Sequence, residues 1–443
     1  MAQIQLPDKV RYIISQLEAA GYEAYAVGGC VRDSLLGREP SDWDVTTSAK
    51  PQQVKAVFRH TIDTGIEHGT VTVMLNREGF EVTTYRIDGE YEDSRHPKEV
   101  VYTANLIEDL RRRDFTINAF AYNEHSGVVD AFDGMEDLSK GIIRCVGEAA
   151  ERFGEDALRM LRAVRFSAQL GFTIAQETRA AITKLAPNLQ LISAERIQAE
   201  LVKLLLSDHP DYMRDAYELG ITSVVLPELD AAFATAQHNP HHRYTVGEHL
   251  MQSLLHIRAD KSLRLAALLH DIGKPSVRTT DEDGIDHFHG HVQVSERMAV
   301  DILKRLKFDN DTIDKVQKYV RYHDDKPERN ARAVRRAINN IGAAYFPQVM
   351  EIRRADTLAQ SSYQQEEKLA QIDEVERIYA EIMEKNECIS LKTLEITGND
   401  LLMLGVPKGK QIGAILNQLL DEVLQNPENN TREYLIEKAK EML

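Results

Sequence analysis

The stretch Ala24-Tyr-Ala-Val-Gly-Gly-Cys-Val-Arg-Asp-Ser-Leu-Leu-Gly-Arg-Glu-Pro-Ser-Asp-Trp-Asp-Val-Thr-Thr47 runs from an apolar tetrapeptide through two glycines into a helically spaced segment, and closes on two carboxylates two residues apart. It reads as strand, glycine turn and helix. Gly28 and Gly29 let backbone N–H groups approach a phosphate at the positive end of that helix, with Arg32 one turn on. In a strand alternate side chains share a face, so Asp42 and Asp44 are expected to point the same way and Trp43 into the packing behind. Two carboxylates side by side repel unless a cation sits between them, and hard oxygen ligands suit Mg²⁺ at phosphoryl-transfer sites.

Around this stretch lies a chain of 443 residues, long enough for two to four modules. With 43% hydrophobic and 28% charged residues it has the composition of a soluble globular protein. Cys30, Cys145 and Cys388 form neither a disulfide framework nor a C-x-x-C metal site. No apolar run reaches the length of a membrane span and Met1–Pro7 lacks a secretory pattern, so a cytoplasmic protein is expected. A net charge of −16 argues against indiscriminate binding to polyanions. Nucleic acid is therefore expected on a restricted track, supplied by Arg111–Arg113, by Arg159, Arg162 and Arg165, and by Arg332, Arg335, Arg336, Arg353 and Arg354.

Residues 7–20 carry Val10, Ile13, Ile14 and Leu17 on one helical face. Residues 69–75 alternate, and Gly79-Phe80 is expected to turn them into a second strand that begins at Glu81. Residues 87–108 form a long polar segment without clear periodicity. After it, Arg112 and Arg113 suit triphosphate oxygens, while Asp114 and Asn118, four apart on one helical face, suit ribose hydroxyls. The stretch 151–166 is expected as one helix, with Leu158, Leu161, Val164 and Phe166 inward and Glu155, Asp156, Arg159 and Arg162 on the other side. Ser193 is expected to cap the helix that follows.

These residues resemble the class II tRNA nucleotidyltransferase and poly(A) polymerase family. The likeness rests on Gly28-Gly29-x-Val31-Arg32-Asp33 with Asp42-x-Asp44, on Arg112-Arg113-Asp114-x-Thr-x-Asn118-Ala, on Glu155-Asp156-x-x-Arg159 and on Ser193-x-Glu195-Arg196-Ile-x-x-Glu200-Leu. It implies Asp42, Asp44 and Glu81 as the catalytic carboxylates, with Mg²⁺ on the two aspartates, and a flexible head loop at 87–97. Gly28, Gly29, Arg32, Arg112, Arg113, Asp114 and Asn118 would bind the nucleotide, together with Asp156, Arg159, Arg162 and Arg165. Asp156 and Arg159 would present a donor and acceptor edge in place of a template base. Glu195 and Arg196 would brace that element. The implied reaction is template-independent addition or repair of the tRNA 3′-terminal CCA from CTP and ATP, with no DNA and no membrane as partner. A poly(A) polymerase shares the head motifs, but Glu155-Asp156-x-x-Arg159 and the acidic composition favour the tRNA enzyme.

A second constellation comprises His249, His270-Asp271-Ile-Gly-Lys, His291 and His323-Asp324. It resembles the HD superfamily of metal-dependent phosphohydrolases, and its imidazole and carboxylate donors suit Mn²⁺, Ni²⁺ or Fe²⁺. An HD phosphohydrolase whose head only binds RNA is thus the rival from a different class. The expected fold is α+β: a nucleotidyltransferase head over 1–140, a helical neck over 141–196, a helical body over 197–240, an HD-type module over 241–330, and a helical body and tail over 331–443 that bind tRNA. In the last region Leu369, Ile372, Val375, Ile378 and Ile382 form a core stripe.

Overall fold

The computed structural model describes residues 4–88 and 100–443, and most of the proposed head loop, 89–97, lies outside them. The chain forms two compact units, Met1–Pro227 and Glu228–Leu443.

The first unit is α+β. Its strands are β1 Ala24–Val27, β2 Val45–Thr47, β3 Thr61–Gly65, β4 Thr70–Leu75, β5 Glu78–Thr84, β6 Arg86–Asp88, β7 Val100–Tyr102, β8 Phe120–Asn123 and β9 Gly127–Asp130. Seven make one sheet in the order β3-β4-β5-β2-β1-β8-β9, and β6 pairs with β7 apart from it. The helix Asp8–Ala19 buries the expected Val10, Ile13, Ile14 and Leu17 and packs on β1 and β2.

The β4–β5 hairpin turns at Asn76-Arg77, both with positive φ, and not at Gly79-Phe80. Asn accepts this backbone region more readily than most residues. Gly79 lies inside β5, where a Cβ would come within 2.8 Å of the Thr72 methyl, so the glycine answers a close cross-strand approach.

The stretch 151–166 is two helices, Ala149–Glu155 and Leu158–Leu170, broken at Asp156 with φ −144° and ψ 103°. The Leu158 amide donates to Asp156 Oδ1 at 3.0 Å. Asp competes for nearby amides in this way, which explains the break. Ser193 does precede the helix Ala194–Leu205, but its hydroxyl makes no capping bond.

The second unit is helical apart from a short ribbon, Thr279–Thr280 with Asp286–His287. Its central helix, Lys261–Leu269, is buried from Ser262 to Leu269, its leucines and alanines facing all round and Arg264 held by the Ile257 and Arg258 carbonyls. The helices Val246–Leu255, Asn310–Tyr322 and Phe346–Ala359 pack against it. Ile372, Val375, Ile378 and Ile382 are buried as a stripe on the helix Gln365–Glu384. Toward the C-terminus, Leu401, Leu419, Val423 and Leu435 anchor a separate core.

Here one expectation about the basic track fails. Arg335 is buried, donating to the Leu424 and Gln425 carbonyls and to Glu387. Arg353 is also buried, and Arg354 is paired with Asp373 and Glu376. Of that group only Arg332 and Arg336 are exposed.

Candidate active site and a buried histidine–aspartate centre

Asp42 and Asp44 stand in extended chain just before β2 rather than within a strand. The Val27 amide donates to the Asp44 carbonyl at 3.0 Å, and beyond it Gly28, at φ +83°, turns β1 away, leaving Asp42 and Trp43 no strand to pair with. Parallel pairing of β2 with β5 sets Val45 opposite Val82, which brings Glu81 level with Asp44. All three carboxylates are exposed, and among the described residues no Lys or Arg forms an ion pair with them. Burial of its surroundings, then the charges of Asp42 and Glu81, push the Asp44 carboxyl up to about 6, against the opposing pull of Arg113. Since the carboxylate remains open to water, the crowding of like charges is the more durable cause.

Gly28 makes room for a guanidinium: a Cβ there would lie 2.7 Å from Arg113 Nη1. Arg32 is instead turned inward, donating to Asn118 Oδ1 at 2.6 Å and to Asp33 at 2.8 Å. Asp109, fully buried, accepts from Thr46 Oγ1, from the Arg86 amide and from Arg112 Nε, and so fixes Arg112 to the sheet.

Asp114 and Asn118 meet, but not on an α-helix. Thr116–Asn118 is a single 3₁₀ turn, and Asn118 Nδ2 donates to Asp114 Oδ1 at 3.1 Å. Arg162 donates twice to Asp114 Oδ2, at 2.8 and 2.6 Å. Burial would raise the Asp114 carboxyl, but Arg162, Asn118 and Arg159 hold it well below the usual carboxylate range.

At the helix break Asp156 Oδ2 accepts from Arg196 at 2.6 Å. Arg159 donates to Glu155 at 2.6 Å and to the Arg112 carbonyl at 3.0 Å. Arg165 is buried over the Phe166 ring and paired with Glu200 at 2.5 Å. The arginines of this helix are thus largely neutralised by protein carboxylates. The segment 112–118 joins the two halves of the site, since Arg113 lies by Asp44 while Arg112 and Asp114 bond to the neck helix.

In the second unit four ligand-type side chains, His249, His270, Asp271 and Asp356, bring one atom each within 4.8 Å of one another. A second group, Asp271, His291 and His323, shares Asp271 with the first. Asp271 Oδ2 lies 3.5 Å from His249 Nε2 and 3.4 Å from His270 Nε2, while Oδ1 lies 3.3 Å from His291 Nε2 and 3.7 Å from His323 Nε2. His270 Nδ1 and His323 Nδ1 each stand 2.9 Å or less from a backbone carbonyl, which leaves both Nε2 atoms for the centre. Burial pulls the His270 imidazolium down, but Asp271 and Asp356 overcome this and bring it up to about 10.

Asp324 belongs to neither group; it is exposed and paired with Lys326 at 2.7 Å. The residue sequence reasoning missed is Asp356, whose Oδ1 lies 3.0 Å from His249 Nε2. Its signal was a carboxylate at the helical spacing of Val349, Ile352 and Ala359, all buried.

Three family models match: the poly A polymerase head domain at residues 24–144, the probable RNA and SrmB-binding site of polymerase A at 171–233, and a putative tRNA nucleotidyltransferase domain 2 at 278–439. The chain is 36% identical to the CCA-adding enzyme of Levilactobacillus brevis, over 97% of this chain and 96% of that protein. It is 49% identical to the CCA-adding enzyme of Leuconostoc mesenteroides over 51% of this chain, a match that spans 56% of that relative's length. Its fold is similar to the crystal structure of the Bacillus stearothermophilus CCA-adding enzyme in complex with CTP, with a TM-score of 0.75 at 30% identity over 99% of this chain and 98% of that one.

Proposed function

Since the chain belongs to the CCA-adding enzymes, we propose that it builds or repairs the 3′-terminal CCA of cytoplasmic tRNA from CTP and ATP, and that the carboxylates and the neck element act as one site. The observation that supports this most is the segment 112–118, which bonds to the neck arginines on one side and sets Arg113 against Asp44 on the other.

The donor set at the head fits Mg²⁺: three oxygen ligands crowd without an ion-pair partner among the described residues, and the charges of Asp42 and Glu81 add to burial in pushing Asp44 upward. Asp42 and Asp44, beside Glu81, would hold Mg²⁺, which would supply Lewis acidity to the terminal 3′-hydroxyl and the triphosphate. Arg113, in the space left by Gly28, and Arg112, fixed by Asp109, receive triphosphate oxygens. Asp114 and Asn118 hold the ribose. Arg196 fixes the Asp156 carboxylate and Glu155 fixes the Arg159 guanidinium, so that both can meet a base edge with little reorganisation. The 3′-hydroxyl attacks the α-phosphorus in line and pyrophosphate leaves. Incubating the protein with tRNA lacking CCA and each labelled NTP tests this reading: incorporation of two C and one A supports it, and A-only runs would overturn it.

The buried cluster in the second unit fits a transition-metal pair of the HD type, with Asp271 offering one oxygen to each group. The histidine Nε2 atoms, freed of any proton they carry, and the Asp271 and Asp356 carboxylates would serve as its ligands. Metal analysis of protein purified without chelator tests it.

A further inference from the structure

A cavity of about 650 Å³ opens over this cluster, lined by Asp271, His291, His323 and Asp356. Cations from separate elements line it as well: Lys274, Lys326, Arg353 and Lys368. Lys274 is held by Asp271 and Gln237, and Lys326 by Asp324. Among the described residues the hydrogen bonds of Lys368 go to neutral groups, Gln360 Oε1 at 2.7 Å and His241 Nδ1 at 3.1 Å, with Asp356 and Asp324 nearby. Arg353 is 5% exposed, and its Nη1 is buried with no hydrogen-bond partner among the described residues. Asp324, Asp356 and Asp325 lie near enough to act on its charge, but none satisfies Nη1, and a buried donor left without a partner is costly. Arg353 lies one turn before Asp356 on the helix Phe346–Ala359, hence on the face that carries the cluster.

We propose that Arg353, assisted by Lys368, anchors the phosphoryl group of a sugar phosphomonoester beside the histidine–aspartate centre. This rests on the metal-centre reading above. A phosphomonoester dianion has three terminal oxygens, enough to meet a guanidinium fork and a metal together, whereas a diester has two. The remainder of the lining is rich in amides, Asn239, Gln293, Gln360, Gln364 and Gln371, which donate to and accept from hydroxyls. An aryl or lipid chain would find few apolar walls there. In the hydrolysis that follows, a water oxygen bonds to phosphorus and the phosphorus–oxygen ester bond breaks. Its electron pair leaves with the sugar oxygen, which takes up a proton, giving inorganic phosphate and the free sugar.

The test uses the full chain, wild type and Arg353→Gln, before and after loading with Mn²⁺, with inorganic phosphate titrated calorimetrically and Mn²⁺ stoichiometry measured in parallel. Arg353→Gln is expected to weaken phosphate binding at least tenfold in both states and to leave Mn²⁺ stoichiometry unchanged, with Arg353→Lys recovering part of the loss. Steady-state hydrolysis of ribose 5-phosphate should show a raised KM in Arg353→Gln, and wild type should prefer ribose 5-phosphate to phenyl phosphate. Phosphate binding within twofold of wild type would overturn the anchor, and equal use of the two esters would overturn the sugar assignment. A wild-type protein that takes up no metal, yet binds phosphate through Arg353, would overturn the metal-centre reading and leave the anchor standing. Should Arg353→Gln fail to fold, Lys368→Gln is expected to weaken phosphate binding by a smaller factor, and an unchanged affinity there would overturn its share.

Discussion

The head and the second unit both gather aspartates, but under opposite physical conditions. In the head, Asp42, Asp44 and Glu81 are exposed and all-oxygen, and Asp44 is raised by burial of its surroundings and by its like-charged neighbours. In the second unit Asp271 is buried, and Lys274 and histidines hold it well below the usual carboxylate range despite that burial. An open oxygen set suits an ion that arrives and leaves with each triphosphate; a buried imidazole and carboxylate set suits an ion that stays. Two acidic clusters in one chain therefore read as an exchange site and a resident site.

The largest expected effect follows from the exchange site. On the proposed reading, Asp42→Ala or Asp44→Ala removes metal ligands for which the described residues offer no substitute, and metal stabilisation of the transferring phosphoryl group is worth several kcal/mol. Addition of both C and A is expected to fall by about 10³-fold or more, with tRNA binding nearly unchanged in a filter assay. Retained C addition in either variant would break the contrast between the two clusters.

Next in size is nucleotide choice. Each well-placed base contact carries about 1–3 kcal/mol of discrimination, so Asp156→Ala and Arg159→Ala are expected to bring UTP and GTP closer to CTP and ATP by roughly one to two orders of magnitude. Arg196→Ala should act in the same direction and more weakly, since it frees Asp156 without removing it. Single-turnover incorporation of all four nucleotides measures this. A uniform fall in rate with unchanged selectivity would return these residues to the status of a braced helix break.

The resident site should matter little to the head. His270→Ala with Asp271→Ala is expected to leave CCA addition within about tenfold of wild type, roughly 1.4 kcal/mol, while abolishing metal uptake in the second unit. Loss of CCA synthesis in a folded double variant would show the two sites coupled.

Legibility in the sequence followed the range of the signal. Gly28-Gly29, Asp42-x-Asp44 and His270-Asp271 are local, so residue type and spacing were enough to single them out, while the roles proposed for them rest on the family resemblance. The break at Asp156 was also local, but a run of good helix formers on both sides hid it; an Asp two residues after Gly154 was the cue. Asp356 carried only its helical spacing as a signal, and the inward turn of Arg335 carried none, because His249 and Leu424, which each meets, lie tens of residues away. Arg335, Arg353 and Arg354 left the expected basic track for a like reason: counting arginines cannot tell which ones the fold has buried or paired.

The smallest expected effect sharpens a contrast inside the head, between Asp44, pushed up, and Asp114, held down. Asp114 is buried and accepts two bonds from Arg162, and hydrogen bonds to charged groups contribute about 1.5–3 kcal/mol. Asp114→Asn keeps the shape and removes the charge, so a loss of about that size is expected at pH 7. A carboxyl depressed in the folded state contributes stability that is fully present above its unfolded value of about 3.9 and is lost as pH falls through the folded value. The difference between wild type and Asp114→Asn should therefore be flat from about pH 8 to about 5 and begin to close below about 4. Denaturant unfolding at pH 7, 5 and 3 measures it. A gap that widened toward low pH would mean that Asp114 is protonated in the folded head and that Arg162 does not hold its charge.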